Sequence, residues 1–161
     1  MRLIVLAIGL AVGSGVLAGD ETGSPAPNFS ARTTEGERFT NDSVRGKVVL
    51  VQFWATWCQY CRREQPMVDD VAKEFADKGL IVLAVNVGES KRTVKKYLAE
   101  SPRACRIVLN EDTNLPALYA ATRYPVYVLI DREGNVAGVQ HGAGGERQIR
   151  RLLSKAGLDS E

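Results

Sequence analysis

Hydrophobic and polar positions follow two different periods along the first half of this chain. Residues 48–54 and 80–87 are runs of β-branched and aromatic side chains, a pattern typical of strands buried on both faces of a sheet. Between them, residues 59–78 carry apolar side chains three and four positions apart, which predicts an amphipathic helix ended by Gly79. The strand–helix–strand order predicts parallel pairing within one sheet.

Shorter elements are predicted on both sides of this unit. A turn at 33–37 lies between two short strands and predicts an N-terminal β-hairpin. The later pattern predicts a helix from Ser90 through Leu98, a strand over 106–109, a short helix from Asn114, strands over 126–130 and 136–140 around a turn at 132–135, and a last helix over 146–155. We therefore predict an α/β fold with a mixed β-sheet and helices on both faces.

Composition narrows the possible function classes. The 161 residues suffice for one domain, and 45% apolar with 25% charged residues is the mix of a globular protein rather than a disordered or disulfide-scaffold chain. A net charge of +2 gives no reason to expect nucleic acid as a partner. A single His is too few for a His-built zinc site, and three Cys allow at most one internal pair. We predict no metal and no cofactor.

The N-terminus has the pattern of a secretory signal. Arg2 precedes an apolar stretch that ends in small residues, and we predict cleavage after Ala18. The stretch is shorter than the about 20 residues of a comfortable membrane span, although an uncleaved anchor is the alternative. We thus predict a signal peptide over 1–18, a mobile tail over 19–26 and one folded domain over 27–158. The protein is then exported, with the periplasm as the expected compartment, where disulfides persist.

Candidate chemistry lies at the turn between the first buried strand and the long helix. Cys58 and Cys61 stand at the start of that helix, where free N–H groups and the helix dipole favour a thiolate at Cys58, the sulfur expected to be more exposed. Cys61 is placed to attack a mixed disulfide formed at Cys58. A structural disulfide closes too short a loop to stabilise much, and a zinc site needs Cys105 and His141 as further ligands. The spacing therefore favours thiol–disulfide exchange.

These residues resemble a known family. The segment from Phe53 to Arg62, followed by Pro66, resembles the active site of the thioredoxin superfamily. Tyr124 to Asp131 resembles the segment in which that family holds a cis proline against the disulfide. The resemblance implies a thioredoxin-like domain in which Pro66 kinks the active-site helix and Tyr124 and Pro125 pair with the substrate. Local pattern alone also fits Pro125 as the first residue of a strand.

Two further features narrow the branch of the family. The opening Ala26-Pro27-Asn28-Phe29 and a helix–strand unit inserted over 90–109 are similar to exported proteins of the TlpA/ResA/CcmG type, mostly reductants in cytochrome c maturation or of specific exported disulfides. That similarity implies an exported disulfide-containing protein as substrate and a membrane disulfide carrier as electron donor. Gln59 and Tyr60 add no positive charge between the cysteines, which favours a reductant. We expect a monomer.

The chain also departs from the family pattern. Gln52 stands where thioredoxins have a buried Asp, so the proton acceptor for Cys61 must lie elsewhere. Glu64, one helical turn beyond Cys61, resembles the active-site Glu of the ResA group; the alternative is a solvated Glu on the helix surface. Trp57 is expected either as a lid beside Cys58 or as a core Trp.

Two other functions are alternatives to thiol–disulfide exchange. Thiolates suit Cu(I), so a metallochaperone holding copper with Cys58, Cys61 and Met67 or Cys105 is the first alternative. A thiol peroxidase is the weaker one, because the Pro-Thr-Cys loop of that family is absent. Cys105 itself is expected to be a buried small hydrophobe, with an exposed, dimerising thiol as the other reading.

Overall fold

A computed structural model of the protein describes residues 22–159. The predicted signal peptide and its cleavage site lie outside this range. Within it the strands are β1 Ser30–Thr33, β2 Arg38–Thr40, β3 Val48–Trp54, β4 Leu80–Asn86, β5 Arg106–Thr113, β6 Val126–Ile130 and β7 Val136–His141. The helices are α1 Gln59–Glu74, α2 Lys91–Glu100, α3 Leu115–Leu118 and α4 Gly145–Ser154.

The strands form one mixed sheet, as predicted. Their order is β2-β1-β5-β4-β3-β6-β7, with β4 parallel to both β3 and β5 and the remaining pairs antiparallel. Every residue of β3 is buried, and its side chains alternate between two hydrophobic clusters, one on each face. Helices α1, α2 and α4 contribute to one cluster, whereas α3 and the β1–β2 hairpin contribute to the other. The fold is therefore thioredoxin-like, with helices on both faces.

Two element ends differ from the sequence prediction. Helix α1 ends at Glu74 rather than at residue 78, and a series of turns leads from Phe75 to Gly79, whose φ is 87°. Strand β5 continues to Thr113 rather than ending at 109, because its second half pairs with β1. Such pairing joins residues far apart in the chain, so local pattern could not predict it.

Residues 23–26, which belong to the segment expected to be a mobile tail, contact the hairpin formed by β6 and β7. Pro25 forms an isolated bridge with Asn135, and Gly23 donates its N–H to the carbonyl of Val136 at 2.8 Å. Ala26 is buried among the core residues beneath this hairpin. The hairpin has backbone groups that need partners, and residues 23–26 supply them. Across 22–159, the helices all lack the length and apolar character needed to cross a membrane.

The sheet brings two separate loops together at one end of β3. The loop 55–58 leaves β3 and enters α1, and β6 pairs with β3 so that Val126 lies opposite Phe53. Pro125 immediately precedes β6, so it reaches the same end of the sheet as the cysteines. The central strand therefore positions both parts of the candidate site.

Candidate active site

The two candidate cysteines are joined in a disulfide at the N-terminus of α1. Cys58 is the N-cap, and its Sγ accepts the Cys61 N–H at 3.1 Å. Exposed fractions are 4% for Cys58 and 3% for Cys61, so both cysteines are buried in the oxidised protein and their exposure is nearly equal. The cap turns the Cys58 sulfur inward, toward the helix N–H groups. The same groups are available to stabilise a thiolate at Cys58 after reduction.

The loop before Cys58 is held by polar contacts that the sequence did not reveal. One oxygen of Glu89 accepts the Thr56 N–H at 2.7 Å, and the other accepts the Thr56 hydroxyl at 2.6 Å. Asn86 donates to the same carboxylate at 2.7 Å, and Arg62 Nε donates to the Thr56 carbonyl at 2.7 Å. Glu89 follows β4, so it ties the neighbouring strand end to the active-site loop.

Aromatic side chains surround the disulfide. Trp57 is 66% exposed and Tyr60 is 57% exposed, so the core-Trp alternative for Trp57 is wrong. The Trp57 ring meets that of Tyr124 edge-on at 5.9 Å between centroids. These rings form an exposed rim, defined here as Trp57, Tyr60 and Tyr124.

The Tyr124–Pro125 peptide bond is cis, as the family resemblance implied. Pro125 is buried and also directly precedes a strand, and its carbonyl accepts the Gly142 N–H at 2.8 Å. Beside it lies a groove of about 660 Å³, whose lining includes Tyr60, Arg123, Tyr124, Val126, His141 and Ala143. The groove thus runs from the cysteine motif to the proline loop.

Glu64 belongs to helix α1 and lies on its buried face. It is 5% exposed, so the alternative of a solvated surface Glu is wrong. Its carboxylate accepts the Tyr127 hydroxyl at 2.6 Å and the N–H groups of Gly144 at 2.9 Å and Gly145 at 2.6 Å. The glycines lie at the N-terminus of α4, where the dipole stabilises negative charge. Glu64 is therefore held by donors on two elements other than its own.

A buried polar chain continues inward from Glu64. Gln52 Nε2 donates a hydrogen bond to the Tyr127 hydroxyl at 3.3 Å, and Arg103 Nη2 donates one to Gln52 Oε1 at 3.0 Å. Arg103 Nε donates to Asp69 at 3.0 Å, and the Arg103 side chain is only 1% exposed. Burial first, and then its contacts with Glu64, raise the pKa of Tyr127 far above its usual value, so the hydroxyl keeps its proton. Gln52 is therefore paired with an arginine in this chain.

The remaining candidates are Cys105 and His141. Cys105 is buried, and burial raises the pKa of its thiol to about 12, which agrees with the small-hydrophobe reading and contradicts an exposed thiol. His141 ends β7 and lines the groove. Among residues 22–159 there is no group of three or more His, Cys, Asp or Glu side chains arranged to hold a metal ion.

Comparisons with known proteins cover most of the chain. Residues 22–139 match the model of the AhpC/TSA family. The chain is 35% identical over 157 residues to the thiol-disulfide oxidoreductase ResA of Bacillus subtilis strain 168, covering 96% of this chain and 88% of that protein. A Chlorobium tepidum structure assigned as the thiol:disulfide interchange protein DsbE superposes with a TM-score of 0.76 at 28% identity. The match covers 86% of this chain and 99% of that one. A thioredoxin-family thiol:disulfide interchange protein from Chlorobium tepidum TLS superposes with a TM-score of 0.70 at 32% identity. That match covers 85% of this chain and 98% of the other.

Proposed function

The chain belongs to the AhpC/TSA family and is a thiol–disulfide oxidoreductase of thioredoxin fold, and from that premise we propose that it is an exported reductant of protein disulfides. The observation that carries the proposal is the Cys58–Cys61 pair at the N-terminus of α1, with Glu64 buried on the inner face of the same helix. Trp57, Tyr124 and Pro125 are proposed to contact the substrate. Tyr124 lines the groove beside the pair, the Trp57 ring contacts that of Tyr124, and Pro125 follows Tyr124 in the chain.

The proposed reaction moves two electrons and leaves the protein in its disulfide form. In the reduced protein, the Cys58 thiolate attacks one sulfur of the substrate disulfide, that disulfide breaks, and its other sulfur leaves as a thiolate. Cys61 then loses its proton and attacks the Cys58 sulfur of the mixed disulfide. The second substrate sulfur leaves, and the Cys58–Cys61 bond forms.

Glu64 is proposed as the acceptor of the Cys61 proton. It lies one helical turn after Cys61 on the buried side of α1. The other members of the buried chain are less suited to the task. Tyr127 holds its own proton, Gln52 is an amide and Arg103 is a donor only. The Asp69 carboxylate is paired with Arg103 and lies about two helical turns beyond Cys61. A carboxylate that already accepts three hydrogen bonds is also fixed in position for the transfer.

The direction of transfer and the location are further parts of the proposal. Gln59 and Tyr60 place no cation between the cysteines, so the reduced form lacks the stabilisation that makes a strong oxidant. The N-terminal pattern supports a signal peptide over 1–18 ahead of the folded domain. We propose a periplasmic monomer that takes electrons from a membrane disulfide carrier and reduces an exported protein, with cytochrome c maturation as the narrower form.

Two measurements test this function. We expect the dithiothreitol-reduced protein to reduce the insulin disulfides, and Cys58→Ser to abolish that activity, whereas Cys61→Ser accumulates a mixed disulfide. Equal rates for Cys58→Ser and wild type contradict the proposed chemistry. A reduction potential well below about −200 mV supports a reductant, whereas a value near about −120 mV identifies an oxidase.

A further inference from the structure

The carboxylates around the disulfide are already occupied. Glu64 accepts three hydrogen bonds within the protein, and Glu89 accepts three from the active-site loop and the end of β4. Glu146, next to the N-terminus of α4, pairs with Arg150 Nε at 2.8 Å. Little of the hydrogen-bonding capacity of these carboxylates is therefore left for a partner.

The arginines at the same end have no carboxylate partner within the described part of the chain. Arg62 uses Nε on the Thr56 carbonyl and lies 5.2 Å from the Tyr97 ring centroid, and Arg63 lies 5.5 Å from that of Tyr60. Arg123 directly precedes Tyr124 and lines the groove. All are exposed, and none forms an ion pair with any residue between 22 and 159.

The groove itself has the same sign of charge. Its ionisable lining residues are Tyr60, Arg123, Tyr124 and His141, and none of the acidic side chains between residues 22 and 159 lines it. The whole protein carries a formal charge of only +2, so this local excess does not reflect a generally basic surface. A partner segment in the groove meets the unpaired guanidinium group of Arg123 and the rings of Tyr60 and Tyr124.

We propose that this groove selects protein disulfides whose cysteine is flanked by acidic residues. The inference rests on the proposed function and specifies its substrate class. A guanidinium binds a carboxylate through paired N–H donors, and unpaired positive charge at the mouth of a site speeds the approach of an acidic partner. The rim rings Trp57 and Tyr60 supply apolar contact to the same segment.

The test compares two synthetic peptides of equal length, each closed by one disulfide. They are identical except that the first cysteine is flanked by Asp in one peptide and by Lys in the other. We expect the reduced protein to act on the Asp peptide with kcat/KM higher on the order of fivefold to tenfold at low ionic strength, mainly through KM. At about 1 M salt, where charges are screened beyond roughly 3 Å, the preference is expected to vanish.

A charge-reversal variant with a matched control completes the test. Arg123→Glu is expected to remove or invert the preference, and Arg38→Glu, an exposed change on the edge strand β2 at the far side of the sheet, to keep it. Equal rates on both peptides, or a preference that Arg123→Glu leaves intact, overturn the inference alone. If neither peptide is reduced, the proposed function fails instead.

Discussion

The two sides of helix α1 handle charge in opposite ways. On the inner side, Glu64 and Asp69 are buried, and each accepts hydrogen bonds from other parts of the chain. On the outer side, Arg62 and Arg63 are exposed and their charge is met only by a carbonyl or a ring face. The inner side therefore fixes geometry, whereas the outer side is available to a partner. Substitutions on the two sides should differ in kind as well as in size.

The largest effect is expected at the deepest point of the inner side. Arg103→Met leaves Asp69 as a buried charge without its partner. It also removes the hydrogen bond that Arg103 donates to Gln52. Breaking a buried pair in this way costs about 3–5 kcal/mol of unfolding free energy, to be measured by urea denaturation. The double variant Arg103→Met/Asp69→Leu should recover part of the loss, because an apolar pair leaves no charge unpaired. A single-variant loss below about 1 kcal/mol would contradict a buried, coupled pair.

The inner side can also be altered without removing its packing. Glu64→Gln keeps the shape and can still accept the N–H groups of Gly144 and Gly145, but it is unable to take a proton. We expect kcat for disulfide reduction to fall by about 100-fold or more with KM little changed, as for the loss of a general base. Glu74→Gln, on the same helix and paired with Arg150 at the surface, is the control and should retain wild-type kcat. An unchanged kcat in Glu64→Gln would assign the proton to another acceptor.

The sequence predicted the elements that depend on local period. The apolar runs of β3 and β4, the spacing in α1 and the Ser90 cap of α2 are all present. Each of these elements is determined within one segment of the chain. Burial on both faces gives the strands, burial on one face gives α1, and a capping side chain begins α2. The length of β5 was underestimated because its second half is set by pairing with β1.

The site also has a part that short motifs predict and a part that depends on contacts between distant residues. The cysteine spacing and the Tyr124–Pro125 segment could be recognised from short motifs, and the cis bond agrees with that recognition. Arg103 was missed because it comes from the loop after α2, 34 residues from Asp69 and 51 from Gln52. The available hint was Gln52 itself, a polar residue inside an apolar strand, whose burial requires a hydrogen-bonding partner somewhere in the chain.

The smallest effect on stability is expected at the rim, where it should separate folding from recognition. Trp57 is 66% exposed and its ring contacts Tyr124 edge-on, so Trp57→Ala should change the unfolding free energy by less than about 0.5 kcal/mol. A protein disulfide is large enough to reach the rim ring, whereas a small disulfide such as hydroxyethyl disulfide is not. We therefore expect KM to rise several-fold for insulin and to stay unchanged for the small disulfide, with Tyr97→Phe, which keeps its ring beside Trp54, as an aromatic control for general repacking. A loss that is equal for both substrates would place Trp57 with the chemistry of the inner side instead of with recognition on the outer one.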